Sequence, residues 1–430
     1  MRAFKLVVTI LFFGQVLMAA VIDSIEVKGV KVPVIFEEDS RLPIASLQLV
    51  FKNSGSIEDG KSIGLAKMSA KMMNEGTKEL GSVEFAEALD SKAIALSAHT
   101  GTETFVFELS SLKEEFSNAL ELLQGLLTSP NLTNESLDKV KTITIGGLTR
   151  KENDFDYIAN VALKSLLFKD TPLQNPTSGT IESVKNSSLK DVQQFLKEHI
   201  VLSRAIVVVG GDLALDEVEK ELIAMLETLE VGKSDEVEHY EVSKKTSDEI
   251  IIKKTEQAYV YFGSPYHLHV DSPEYYKARV ATFILGTGGF GSRLMEEIRV
   301  KRGLAYSAYA RINIAASSNY MMGYLQTKLE SMKEAQETVK EVVETFVKEG
   351  VTQEELDQAK KFLLGSEPLR VETLSQRLSR TFMEYYKGQE IGASQKELEK
   401  IELLDLKTLN EFIKSHSEIT KLSFAIVTAK

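Results

Sequence analysis

No cysteine occurs in the 430 residues. That excludes disulfides and any lipid anchor built on a cysteine. A basic stripe with interleaved aromatics is also missing, and Asp and Glu outnumber Lys and Arg 63 to 51 for a formal charge of −12. Nucleic acid is therefore disfavoured as a partner, because phosphates need a cationic face to displace their counterions. Beyond the first twenty residues no run approaches the roughly 18 consecutive apolar residues that cross a bilayer, so no membrane span is expected there. The one long apolar run, Leu6 to Met18, follows Arg2 and Lys5 and leads into Ala19 and Ala20. This is the layout of a secretory signal over residues 1–20. Export without thiols suits a bacterial protein that is periplasmic or secreted.

What is present is repetition. Thr133-Asn134-Glu135-Ser136-Leu137-Asp138-Lys139 recurs as Thr352-Gln353-Glu354-Glu355-Leu356-Asp357-Gln358, and Phe195 with His199 recurs as Phe412 with His416. The offset of about 217 to 220 residues is nearly constant, which points to duplicated domains. Each copy of the first motif opens on a Thr able to cap a helix, with acidic residues in the first turn. Residues 231–248 are charged and poor in apolar periodicity, and read as an exposed linker between residues 21–230 and 249–430. Strand-like segments such as Ala45 to Phe51, Thr104 to Leu109 and Ala258 to Phe262 alternate with amphipathic helices such as Leu112 to Leu127 and Met332 to Lys348. The expected fold class is α+β: two duplicated α/β sandwiches, helices on mostly antiparallel sheets.

The most informative stretch is Gly64 to Thr77. Positions 67 and 71 stand one helical turn apart on one face, the spacing at which two His side chains grip a zinc ion, and position 70 would aim a Glu at bound water. This chain has Lys67, Ala70 and Lys71 there. Two ammonium groups repel a dication. The residues framing them, Gly64-Leu65-Ala66 and Met72 to Thr77, resemble the inverted zinc motif His-x-x-Glu-His of the insulinase and pitrilysin peptidases. In that family a third ligand, a Glu, lies roughly 76 residues beyond the second His. Here that count reaches Gly147. The resemblance thus implies a peptidase relative that binds no metal itself, with Lys67 and Lys71 as exposed or salt-bridged helix lysines.

In the second half, Arg299-Val300-Lys301-Arg302-Gly303-Leu304-Ala305-Tyr306-Ser307 is similar to the family's second signature, with Arg299 and Tyr306 seven residues apart. The resemblance implies that this pair reaches a zinc site across the assembly, orients the peptide backbone and steadies the tetrahedral oxyanion. Gly286, Gly288 and Gly289 belong to a G-x-G-x-x-G string, but that pattern binds dinucleotides only between a strand and a helix. Here a helix starting near Ser272 and Pro273 runs into the glycines, so a loop beside a peptide channel is the expected role. His267 and His269 with Asp271 lack a third well-placed ligand and a general base for catalytic zinc. By the same resemblance Ser97, Ala98 and His99 lie on a substrate-side strand that binds extended peptides by strand addition.

Together these readings imply a non-catalytic subunit of a heteromeric zinc peptidase, half of a clamshell. Its partner would be a homologous chain that carries His-x-x-Glu-His and the zinc, and peptides would be the substrates. The alternative is a catalytically inactive scaffold or peptide-binding protein of the core-subunit type.

Overall fold

The computed structural model describes residues 20–430; the expected signal, Ala20 apart, lies outside the described residues. The first half builds a six-stranded sheet from β1 (Val21–Val27), β2 (Val30–Glu38), β3 (Ile44–Lys52), β4 (Ala95–Thr100), β5 (Thr104–Leu112) and β6 (Ala205–Gly211). Its order is β1-β2-β6-β3-β5-β4. The second half builds a five-stranded sheet from β7 (Asp248–Ile252), β8 (Gln257–Pro265), β9 (Ala305–Ile314), β10 (Asn319–Lys328) and β11 (Ser423–Thr428), in the order β7-β11-β8-β10-β9. Apart from β1 the two orders superpose strand for strand. In each, only the pair formed with the last strand of the half, β2 with β6 and β7 with β11, is parallel. The duplication read from the sequence is therefore one of topology.

Period-two alternation produces these strands. Along β3, Ala45, Leu47, Leu49 and Phe51 enter the core of the first half, as Ala258, Val260 and Phe262 of β8 enter that of the second. The repeated helix starts are capped as their sequences require. Thr133 Oγ1 accepts the N–H of Ser136, and Thr352 Oγ1 that of Glu355 inside a full capping box. Both Phe-His pairs are in contact at the ends of equivalent helices, Phe195 with His199 at 4.3 Å between ring centroids and Phe412 with His416 at 4.5 Å.

The layers, however, cross between the halves. Helix Phe155–Leu167 of the first half lies on the second sheet, where Ala159, Leu163 and Leu167 pack with Tyr261, Met322 and Val427. Reciprocally, helix Leu374–Tyr386 of the second half lies on the first sheet, with Leu374 and Leu378 against Ile35, Ile206 and Val208. Polar contacts reinforce the exchange. Arg377 bonds Glu37 and Asp39, and Glu103 accepts both the Ser317 N–H and the Tyr386 hydroxyl. Residues 231–247 hold no helix or strand. They are pinned by Ser243 N–H to the Leu167 carbonyl (2.7 Å), Tyr240 N–H to the Ser317 carbonyl (2.8 Å) and a buried Val242.

His199 closes the first core and titrates with it. Its Nδ1 lies 3.0 Å from the Arg204 guanidinium, which also donates to the Asn53 carbonyl. Burial first, and then the Arg204 charge, push its pKa down to about 4 from 6.5. A His held neutral contributes stability that is complete above pH 6.5 and is lost as the pH falls toward 4, where the folded state also takes up the proton. Melting temperature measured against pH should thus drop over that interval, and His199→Gln should flatten the drop.

Candidate functional site

The helix Leu65–Met73 is started by Asp59, whose carboxylate accepts the N–H groups of Gly64 (2.6 Å) and Ala66 (2.7 Å). Burial pushes Asp59 up to about 7, and the two donors pull the other way. Gly64 is required here: its φ is +87°, and a Cβ would stand 2.6 Å from the Gly179 Cα. The helix packs on Leu189–His199, on β4 and on Asn134–Lys151. That last packing brings Lys71 to Thr144, three residues before Gly147.

Of the nine residues of this helix, all but Lys67 and Lys71 are buried. Lys67 Nζ donates to Ser178 Oγ (3.1 Å) and Lys71 Nζ to Thr144 Oγ1 (2.7 Å), one turn before Gly147. Within 4 Å of where a Cβ at Gly147 would stand lies only the Arg150 guanidinium, at 4.0 Å. The expectation of exposed or salt-bridged lysines is corrected here. Both are half-buried, and neither is paired with a carboxylate among the described residues. Burial is the main cause that lowers both pKa values, with the charge of Lys151 adding to each and that of Lys67 adding to Lys71. Among the described residues no cluster of three or more His, Cys, Asp or Glu side chains could hold a metal ion. Lys67, Ala70, Lys71 and Gly147 offer zinc neither a ligand nor a base.

β4 is an edge strand, with one side unpaired in the sheet. Asn74, at the end of the same helix, takes part of that side: its Nδ2 donates to the Ala98 carbonyl (2.8 Å) and its Oδ1 accepts the Ala98 N–H (2.7 Å). Backbone groups alternate in direction along an antiparallel strand, so the outward-facing neighbours left to an added strand are those of Leu96 and Thr100. Ser97 and His99 point exposed side chains beside them.

In the second half the structure joins two features that the sequence kept apart. The Arg299 guanidinium lies 4.1 Å from the ring centroid of Tyr306 and 4.5 Å from that of Phe290. Phe290 sits in the glycine loop, at the turn Gly289–Gly291. Arg299 is thus held between two aromatic rings, of which Tyr306 is 80% and Phe290 66% exposed. No carboxylate pairs with this guanidinium among the described residues. Tyr306 is the second residue of β9, where the pairing to β10 shifts between Leu325 and Thr327. Ala305 and Ala308 both face the core, so Tyr306 and Ser307 together oppose one residue, a bulge that turns the phenol outward.

The glycines divide their tasks. A Cβ at Gly286 would stand 2.3 Å from the Ala310 amide nitrogen, so this position lets the loop lie against β9, while Gly289 has a φ of +60°. The helix preceding them, Tyr275–Thr282, begins two residues later than Pro273 and runs through a wide turn at Phe283–Thr287 into the loop. A helix therefore precedes the glycines where a dinucleotide site would need a strand. His269 pairs with Asp271 at 2.6 Å on the surface, and the His267 N–H donates to Glu418.

Two family descriptions match successive parts of the chain: Insulinase (Peptidase family M16) over residues 33–181 and Peptidase M16 inactive domain over residues 186–363. A Helicobacter pylori protein described as "Non-peptidase homolog YmxG" is 46% identical over 429 residues, which cover 99% of each chain. A Bacillus subtilis protein described as an uncharacterized zinc protease is 25% identical over 77% of this chain and 80% of its own. Among solved structures, a peptidase M16 inactive domain from Pseudomonas fluorescens superposes with a TM-score of 0.88 at 23% identity, covering 95% of this chain and 98% of that one. A protease from Helicobacter pylori superposes at 0.82 and 17% identity, covering 95% and 100%. At such identities the structures speak for the fold.

Proposed function

The chain belongs to the insulinase family of M16 peptidases, and from that premise we propose that it is the non-catalytic subunit of a heteromeric zinc peptidase. It lends Arg299 and Tyr306 to a zinc site on a homologous, His-x-x-Glu-His-bearing partner. The observation that carries this reading is a contrast within one chain. The metal positions have lost every ligand, whereas an exposed Tyr306 stacks on a half-buried Arg299 whose guanidinium has no carboxylate partner among the described residues. The name of the Helicobacter pylori relative, a non-peptidase homolog, agrees with the first half of that contrast.

Zinc and its bound water would come from the partner. What this chain supplies is a phenol and a guanidinium, donors whose hydrogen bonds strengthen as negative charge develops on the scissile carbonyl oxygen. Phe290 acts by positioning. A guanidinium held between two rings keeps its direction at little entropic cost, and a partly exposed cation–π contact is worth about 0.5 to 1 kcal/mol. Phe290→Ala should then lower kcat/KM of the assembly roughly twofold to fivefold without dissociating it.

The two subunits would close as halves of a clamshell around peptides, in the periplasm or outside the cell. Isolation of the tagged protein from the envelope of its own cells tests the pairing. A homologous His-x-x-Glu-His chain should co-purify, with zinc and with peptide hydrolysis that chelators abolish. Recovery of this chain without such a partner would overturn the proposal.

A further inference from the structure

The lysines that replace the zinc ligands are themselves arranged like a receptor. Each ammonium carries three donors. Lys67 spends one on Ser178 Oγ and Lys71 one on Thr144 Oγ1, and no further partner of either occurs among the described residues. A third lysine, Lys151, from the end of helix Asn134–Lys151, is close enough for its charge to act on both. Its ammonium lies over the Tyr157 ring, 4.3 Å from Nζ to centroid.

None of the three ammoniums is in an ion pair with a carboxylate among the described residues, although the chain has a net charge of −12. The contrast with Lys139 is local: it lies on the same Asn134–Lys151 helix, and Glu75, just beyond the Leu65–Met73 helix, neutralises it at 2.7 Å. Around Lys67 and Lys71 no acid performs that service among the described residues. Half-burial makes the arrangement costly as it stands, because desolvated ammoniums repel one another. Three residues beyond Thr144, Gly147 carries no side chain, and only the Arg150 guanidinium stands within 4 Å of where its Cβ would be, at 4.0 Å. The site therefore has cationic groups, spare donors and two hydroxyls, beside a helix that carries no side chain at Gly147.

We propose that Lys67, Lys71 and Lys151, with Thr144 and Ser178, form a binding site for a peptide carboxylate beside Gly147. A carboxylate there would accept the spare ammonium donors and restore the charge balance that the fold leaves open, as charge-assisted hydrogen bonds do. The carboxylate is a C-terminus or an acidic side chain; the chemistry is the same. Nothing in this inference rests on Arg299, Tyr306 or a partner chain.

The test is calorimetric titration of the isolated protein with three alanine-serine peptides. One has a free C-terminal carboxylate, one is its neutral carboxamide, and one is the carboxamide with a single internal Glu. The free acid, the Glu peptide or both should bind roughly tenfold tighter than the neutral form, and less so as salt rises. Which of the two does so names the source of the carboxylate. Lys67→Met with Lys71→Met should abolish the preference. So should Gly147→Glu, which installs a carboxylate on the same helix and also favours that helix; this second variant serves if the first does not fold. Equal affinity for all three peptides, or a preference that survives in a folded variant, would overturn the proposal. Because no partner and no hydrolysis enter, its failure would leave the subunit reading intact, and the reverse holds as well.

Discussion

Tyr306→Phe is expected to lower the turnover of the assembled peptidase on the order of 10²- to 10³-fold, the usual cost of removing one oxyanion donor. The fold has no use for this hydroxyl: Tyr306 is 80% exposed at a strand bulge, and its ring, which the substitution keeps, makes the contact with Arg299. Melting temperature and assembly should therefore stay unchanged. The loss should fall on kcat more than on KM, since a donor aimed at charge that exists only in the transition state contributes little to ground-state binding. Steady-state kinetics of co-purified complexes measure the split. A scaffold would show no change in any of these quantities.

The second large effect is on stability. Arg377→Met should destabilise the protein by about 3 to 5 kcal/mol at neutral pH, as measured by denaturant unfolding. Arg377 Nε is 2.5 Å from Glu37 and its NH2 group 2.5 Å from Asp39, and Glu37 is only 4% exposed. Methionine keeps much of the side-chain bulk and leaves two carboxylates beside each other, one of them buried. The pH dependence gives the cause away. Burial already holds Glu37 above the usual carboxylate range, opposed by the hydrogen bond and charge of Arg377. Without that guanidinium its pKa must rise further, so acidification should protonate Glu37 and shrink the deficit. A deficit independent of pH would place the damage in packing. Because Arg377 belongs to the helix that the second half lays on the first sheet, the variant also probes the docking of the halves.

Local signals account for what could be read in advance. Alternation along β3, β5 and β8, the Thr caps at 133 and 352 and the constant offset between repeats are set by neighbours in the chain. They led to the α+β class and to the matching sheets. The exchange of helices 155–167 and 374–386 could not be read this way. An amphipathic helix shows that it has an apolar face but carries no mark of which sheet will receive it. Gly147 follows from Lys71 only by counting within a family frame, and the packing of the two helices brings Lys71 to Thr144, three residues before it.

Phe290 was missed although it stands inside a motif that drew attention for its glycines. An aromatic between glycines that nothing buries was the available sign, and only its contact with Arg299 gives it a role. The bulge at Tyr306 and Ser307 likewise arises from pairing with β10, which Ala-Tyr-Ser-Ala does not announce. Asn74 was hidden differently: a polar residue after a helix reads as an end cap, yet its carboxamide mimics a strand at Ala98.

The most direct measurement titrates the purified His-x-x-Glu-His partner with this chain and follows peptide cleavage. The account predicts negligible hydrolysis by either chain alone and a rise to a plateau at one equivalent. A chain carrying Arg299→Met and Tyr306→Phe should bind as well and give no such rise. A partner that is fully active alone, or one that the doubly substituted chain activates as well as the native chain does, would contradict it.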